Sequence, residues 1–142
     1  MDILPPKKVK LIDIPGKGRG VVATEAIRAG EVIEVCPILI LRPKDAAFLE
    51  NGSDTLHYYF LEQTIFNRSC VMFGYASMYN HSFEPNADLD YDDNPAEQYV
   101  LIRALKSIEP GEEIVWNYDD TSKVQKFMPV DVGGQEIVMS DE

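Results

Sequence analysis

The stretch that decides how this chain folds is Asn80-His81-Ser82-Phe83-Glu84-Pro85-Asn86, which holds one of only two histidines in 142 residues. Taken alone, it fits a polar turn, in which Asn and Ser side chains bond to nearby backbone, as well as it fits a functional site. Its meaning depends on the segments that lie before and after it in the sequence.

A glycine-rich loop, Gly16-Lys17-Gly18-Arg19-Gly20, lies upstream of this heptapeptide and has a short predicted strand on each side. Glycines let consecutive backbone N–H groups converge on an anion and let a ligand approach the main chain closely. No helical pattern follows the loop, which excludes a Walker loop and a dinucleotide-binding fingerprint. On its own, the loop predicts a tight turn that is too glycine-rich for any regular element.

Downstream lies Gly111-Glu112-Glu113-Ile114-Val115-Trp116-Asn117-Tyr118, which by itself predicts a turn and an edge strand ending in a tyrosine. The three segments in this order resemble the SET-domain lysine methyltransferases, with their G-x-G loop, N-H-S-x-x-P-N core and G-E-E-I-x-x-x-Y strand. The segment from Ala23 to Glu31 is also similar to the family's first hairpin. The resemblance covers residues 7–119, and the chain is identified as a member of that family.

The residue patterns predict a mainly β chain. Short strands separated by turn signals are predicted over residues 8–14, 21–23, 31–41, 56–61, 70–73, 88–92, 98–105 and 113–118. A single helix is predicted over residues 43–50, closed by Asn51-Gly52. The resemblance implies the SET (β-clip) fold of several small sheets, little helix and a pseudoknot-like threaded segment. We expect one domain over 1–142, with the SET domain at 7–119 and a C-terminal tail at 120–142 that closes the active site.

The resemblance also implies S-adenosylmethionine as the cofactor. The glycine loop would lie against its methionine part, the N-H-S segment would hold its amino group and adenine, and an aromatic residue of the tail would cover the adenine. The residues so implied to bind the cofactor are Lys17, Gly18, Arg19, Gly20, Asn80, His81, Tyr118 and Phe127.

Tyr118 is the catalytic residue that the resemblance implies, with its hydroxyl beside the transferring methyl group. We expect it to orient the methyl group and the amine, and we do not expect a general base. Tyr75, Tyr79 and Trp116 are candidates for the walls of the substrate channel, because ring faces tolerate a cation. Each of the three fits ordinary core packing as well. Trp116 stands where the family usually has Phe or Tyr, so the number of methyl groups added stays open.

No metal site is expected. Nothing after Tyr118 is Cys or His, so the zinc-binding segment that follows the tyrosine in many relatives is expected to be absent, and a stand-alone SET domain is predicted. The tail, or a second subunit in a homodimer, would then complete the channel. Cys36 and Cys70 lie among apolar neighbours in a spacing that fits no zinc site, which predicts buried free thiols.

The formal net charge of −11 argues against direct binding to nucleic acid. No Lys or Arg lies between Arg68 and Arg103, a stretch that contains Glu84, Asp88, Asp90, Asp92, Asp93 and Glu97. This segment predicts either a rim that attracts a cationic peptide or a solvated loop. The sequence has no secretory signal and no apolar run long enough for a bilayer, so an intracellular protein, cytoplasmic or nuclear, is expected.

The sequence therefore predicts a methyltransferase that moves a methyl group from S-adenosylmethionine to a lysine of a basic protein, such as a histone or a histone-like protein. The alternative is a non-catalytic SET-like module that binds basic peptides through its acidic rim. A hydrolase built on His81 with Ser82 or Cys70 is disfavoured. Neighbouring side chains on an extended segment point to opposite faces, and no G-x-S-x-G turn is present.

Overall fold

The computed structural model of the chain describes residues 2–56, 59–65, 68–91 and 98–118. This part of the chain is mainly strand, with one α-helix and a short 3₁₀ helix at Ala76–Met78. The elements are β1 (Val9–Ile14), β2 (Gly18–Ala23), β3 (Val32–Ile40), α1 (Pro43–Asn51), β4 (Phe60–Ile65), β5 (Arg68–Met72), β6 (Asn80–His81), β7 (Ala87–Asp90), β8 (Tyr99–Ala104) and β9 (Glu113–Trp116).

A four-stranded sheet in the order β1-β2-β9-β6 brings the three sequence motifs together. β9 lies between β2, which begins in the glycine loop, and β6, which begins the N-H-S segment. β6 and β9 are parallel, with Asn80 opposite Val115 and His81 opposite Trp116. Segments that are far apart in sequence are therefore hydrogen-bonded neighbours.

A five-stranded sheet in the order β4-β5-β3-β8-β7 forms the rest of the scaffold. Its central strand β3 is rich in Val and Ile, as suits a strand covered by neighbours. The register between β3 and β8 shifts between Val32 and Glu34. At this irregularity Ile33 and Glu34 are both buried, which a strictly alternating strand does not allow.

The core consists of apolar side chains from both sheets, and its largest fully buried members include Trp116, Tyr79, Ile27 and Ile108. Ile27 and Ile108 each accept the other's backbone N–H at 2.9 Å, which joins the turns that precede β3 and β9. Complete burial of a side chain of this size stabilises the fold by roughly 1.5–3 kcal/mol.

Both cysteines are buried and free, as predicted. Burial raises the pKa of the Cys70 thiol to about 12. The pKa of the Cys36 thiol is raised further, by burial and by the nearby Glu34 carboxylate. Neither thiol is therefore a thiolate at neutral pH in the folded protein, so neither is a nucleophile.

The predicted helix is present as α1, with Pro43 in its first turn and the Gly52 N–H bonded to the Phe48 carbonyl at 2.7 Å. None of its side chains is buried. With nine residues, α1 is far shorter than the roughly 20 residues that cross a bilayer, and no other described helix has the length for a membrane span.

Two local predictions were wrong. The strand predicted over 56–61 begins only at Phe60. The glycine loop is not wholly irregular, because β2 starts at Gly18 and pairs Arg19 with Asp13. Of the loop glycines, Gly16 and Gly18 have positive φ, whereas Gly20 is paired with Ile12 of β1. The fold-class prediction, mainly β with several small sheets and little helix, is confirmed.

Candidate active site

The N-H-S segment is fastened along β9 by backbone and side-chain bonds. The Ser82 N–H donates to the Trp116 carbonyl at 3.0 Å. The Asn86 amide donates to the Glu113 carbonyl and accepts from the Val115 N–H, each at 2.9 Å. With these two bonds the Asn86 side chain replaces the backbone of a neighbouring strand. The final Asn of the motif is therefore a structural residue, which leaves the first two positions for the site.

His81 is fully buried and holds the chain at Tyr118. Its Nδ1 accepts the Tyr118 backbone N–H at 3.1 Å, so this nitrogen carries no proton in the observed arrangement. The His81 ring lies 5.2 Å from the Tyr118 ring and 4.3 Å from the edge-on Phe83 ring. The structure therefore gives His81 a role in placing Tyr118, beside the cofactor role that the sequence predicts for it.

Tyr118 is buried, and its hydroxyl donates to the Tyr79 carbonyl. Its ring packs edge-on against Trp116 at 4.8 Å. Burial raises the pKa of the Tyr118 phenol, and the Tyr59 and Glu113 side chains add to the shift through their charges. The hydroxyl therefore stays protonated at neutral pH, which suits an orienting group and not a general base.

Glu113 connects the three motifs, although no sequence pattern distinguishes it from Glu112. Its carboxylate forms an ion pair with Lys17 and accepts the Asn80 amide at 2.7 Å. The same Asn80 amide donates to the Arg19 carbonyl at 2.9 Å. One carboxylate thus holds Lys17 and Asn80, both predicted cofactor ligands, and Asn80 in turn binds the carbonyl of the predicted ligand Arg19.

The two glycines at the start of β2, Gly18 and Gly20, have different surroundings. An added Cβ on Gly20 would overlap Ile14 and would lie 2.8 Å from the Asn80 amide nitrogen. Gly18 has φ +86° with open space around it, and its backbone is exposed. Close approach of Asn80 and an accessible main chain are the features that a ligand needs to lie along this loop. The predicted loop residues therefore fit a bound cofactor.

The predicted channel residues do not all meet at one point. Tyr79 and Trp116 are each 1% exposed and both contact Tyr118. Tyr75 is partly exposed, packs on the core, and approaches Glu34 through its backbone N–H at 2.8 Å. The Tyr79 hydroxyl also donates to Glu34, at 2.7 Å.

The sequence patterns also do not mark Tyr59 and Glu34. Tyr59 is 44% exposed and contributes to the raised pKa of the Tyr118 phenol. Glu34 is 3% exposed and binds Tyr75 and Tyr79. The only signal for Glu34 in the sequence is an acid within a run of Val and Ile residues.

Phe127 and the tail over 120–142 lie outside the described residues, as do Asp92, Asp93 and Glu97 of the acidic segment. In the described part of the acidic segment, Asp90 forms an ion pair with Arg103 at 2.8 Å, so the negative charge of this residue is neutralised. No cluster of three His, Cys, Asp or Glu side chains with the arrangement of metal ligands occurs among the described residues.

A Glu34→Gln variant should flatten the pH dependence of stability. Burial raises the pKa of Glu34, although hydrogen bonds from Tyr75 and Tyr79 oppose the shift. The folded state then holds this proton more tightly than the unfolded state, whose pKa is about 4.5. The stabilisation is complete below that value and is lost as the pH rises through the higher folded-state pKa.

Urea unfolding from pH 4.5 to neutrality measures this effect. The free energy of unfolding should fall more steeply with pH in the wild type than in Glu34→Gln. Parallel curves would show that the pKa of Glu34 is not raised.

Comparison with known proteins places the chain in a family. A family model for the SET domain matches residues 18–119. The chain is 28% identical over 128 residues to the H3 lysine-37 specific histone-lysine N-methyltransferase of Schizosaccharomyces pombe, covering 85% of this chain and 84% of that protein. It is 26% identical to the N-lysine methyltransferase KMT5A-A of Danio rerio, covering 78% of this chain and 35% of that protein.

A crystal structure from Plasmodium falciparum, of a protein described as a histone methyltransferase, is also similar. It has a TM-score of 0.64 and 28% identity, covering 82% of this chain and 96% of the other. These relatives confirm the predicted class, the SET protein-lysine methyltransferases. Because the SET model matches well over half of its residues, the chain belongs to the SET-domain family.

Proposed function

We propose that this chain transfers a methyl group from S-adenosylmethionine to the side-chain amine of lysine in a basic protein, such as a histone or a histone-like protein. One observation carries the proposal. The buried Tyr118 hydroxyl is fixed on the Tyr79 carbonyl where the glycine loop, the N-H-S segment and β9 converge. The names of the relatives, among them an H3 lysine-37 specific histone-lysine N-methyltransferase, support the substrate class.

In this proposal the backbone from Lys17 to Gly20 binds the methionine part of the cofactor, and Asn80 and His81 bind its amino group and adenine. Bound S-adenosylmethionine supplies a methyl group activated by a positively charged sulfur. Phe127 covers the adenine, and the tail over 120–142 closes the site of a SET domain that spans 7–119. The exposed main chain at Gly18 and the fixed Asn80 amide support this arrangement.

The lysine amine must arrive without its proton, because its lone pair attacks the methyl carbon. Rings at Tyr79, Trp116 and Tyr118 make a site of low polarity, which lowers the pKa of an ammonium group by desolvation. The Tyr118 hydroxyl, protonated and fixed, orients the amine without accepting its proton. Positioning of this kind supplies a large share of the rate in a transfer between two bound groups.

The proposed substrate is cationic, and the net charge of −11 favours its approach. Such substrates place the enzyme in the nucleus or the cytoplasm, and a second copy of the chain could complete the channel. The alternative, a binding module without catalysis, is less well supported. A module that only binds peptides has no need of the Lys17–Glu113–Asn80 network or of a buried, anchored Tyr118.

Incubation of the protein with radiolabelled S-adenosylmethionine and a panel of basic proteins tests the proposal. Label should appear on a lysine side chain, located by mass spectrometry, and should require the folded enzyme. Titration with S-adenosylmethionine in a calorimeter should release heat. Label on arginine would contradict the proposed reaction, and absence of heat would favour the binding module.

A further inference from the structure

Glu34 is a buried acid that the proposed reaction does not yet use. It is 3% exposed and lies in β3 beside the irregularity at Val32, which turns it toward the core. A buried carboxylate is costly unless several donors satisfy it. Its partners therefore indicate what it does.

The chain from Gly74 to Tyr79 wraps around this carboxylate. Oε2 accepts the Tyr75 N–H at 2.8 Å and Oε1 accepts the Tyr79 hydroxyl at 2.7 Å. These two donors each satisfy one oxygen of the carboxylate. Gly74 has φ +70°, and a Cβ there would overlap the Glu34 Oε2 atom. Only glycine thus permits both the backbone conformation and the close approach.

Two hydrogen bonds, one at each end of Tyr79, connect Glu34 to Tyr118. The Tyr79 hydroxyl is bound to Glu34, while the Tyr79 carbonyl accepts the Tyr118 hydroxyl. Tyr79 immediately precedes Asn80, so a shift of Tyr79 would also displace the start of the N-H-S segment. The two ends of Tyr79 are therefore fixed by different partners.

We propose that Glu34 is a positioning residue of the active site, whose carboxylate fixes the Gly74–Tyr79 turn and thereby holds the Tyr79 carbonyl that orients Tyr118. The expected effect of Glu34 on the reaction rate rests on the proposed methyl transfer. The expected effect of Glu34 on the position of Tyr118 does not depend on that reaction, so the two effects can be tested separately.

Kinetics of the full chain test the effect on rate. Tyr79→Phe removes the bond to Glu34 but keeps the carbonyl, and Glu34→Ala removes the carboxylate. Each should lower kcat by up to about 100-fold, with the KM for protein substrate and the Kd for S-adenosylmethionine little changed. Glu34→Gln should recover most of kcat, since its amide can accept from Tyr75 and donate to the Tyr79 hydroxyl oxygen.

A double variant shows whether Glu34 acts through Tyr79. If it does, Glu34→Ala combined with Tyr79→Phe should have the kcat of the slower single variant. Multiplied losses would overturn the proposal. Leu61→Ala is the control, because Leu61 is fully buried in the outermost strand of the five-stranded sheet. It should lower the free energy of unfolding and leave kcat unchanged.

NMR of the chain with ¹³C-labelled tyrosine rings tests the geometry without any activity. The Tyr118 signals, assigned as those missing from Tyr118→Phe, should shift in Tyr79→Phe and in Glu34→Ala but not in Leu61→Ala. Unshifted Tyr118 signals in Tyr79→Phe would overturn the proposal. A wild type that methylates no protein, while Tyr118 responds as expected, would support the positioning role and contradict the proposed function alone.

Discussion

Replacing Tyr118 with phenylalanine should lower the rate of methyl transfer by about 100-fold, the scale of loss when reacting groups are no longer well oriented. The variant keeps the ring that packs against Trp116 at 4.8 Å and against His81 at 5.2 Å. It also keeps the backbone N–H that His81 accepts. The fold should therefore survive, while the hydroxyl bound to the Tyr79 carbonyl is lost.

Turnover of radiolabelled cofactor, compared with calorimetric affinity for S-adenosylmethionine, measures this effect. The affinity should change little, and the free energy of unfolding should fall by about 1–3 kcal/mol because a buried carbonyl loses its donor. Tyr99→Phe, which removes a hydroxyl from β8 in the other sheet, is the matched control and should retain activity. Full activity in Tyr118→Phe would falsify the role assigned to this hydroxyl.

A Gly20→Ala variant should weaken binding of S-adenosylmethionine at least tenfold, which corresponds to about 1.4 kcal/mol. The new methyl group would lie 2.8 Å from both the Asn80 amide nitrogen and the Glu113 carboxylate oxygen Oε2. The Asn80 and Glu113 side chains can move aside only by breaking the hydrogen bonds that hold them. The Asn80 amide should therefore be displaced from Arg19 and Glu113, which disrupts the proposed cofactor site.

Gly30→Ala separates crowding from backbone strain. Gly30 has φ +84° with nothing within 4 Å of an added Cβ, so the substitution costs only the strain of a left-handed residue, about 1–2 kcal/mol. It should reduce stability without changing the calorimetric Kd for S-adenosylmethionine. Equal Kd values for Gly20→Ala and the wild type would show that the glycine loop is not part of the cofactor site.

Much of the fold was predictable because local patterns determine local structure. The run of Val and Ile residues predicted β3, and Pro43 with Gly52 marked the ends of α1 to within one residue. The three motifs predicted which segments meet, because their order matches one family. In the four-stranded sheet these motifs lie on β2, β6 and β9, with β9 between the other two strands.

The residues that the sequence did not reveal depend on register and on distant partners. In a regularly alternating strand, Ile33 and Glu34 would point to opposite faces. Both are buried because the pairing of β3 with β8 is irregular at this point. Glu112 and Glu113 are equivalent in the sequence, yet pairing of β9 with β2 turns Glu113 toward Lys17. Tyr59, which contributes to the raised pKa of Tyr118, lies in a remote part of the sequence with no motif to mark it.

The insertion of β9 between β2 and β6 has a consequence for the order of folding. β9 joins strands formed from the beginning and the middle of the chain, so its pairing closes long loops, and long-range contacts of this kind form slowly. On a ribosome, the glycine loop and the N-H-S segment emerge well before β9 can join them. The proposed catalytic centre is therefore completed late, because its three segments cannot pair until Glu113 has left the ribosome.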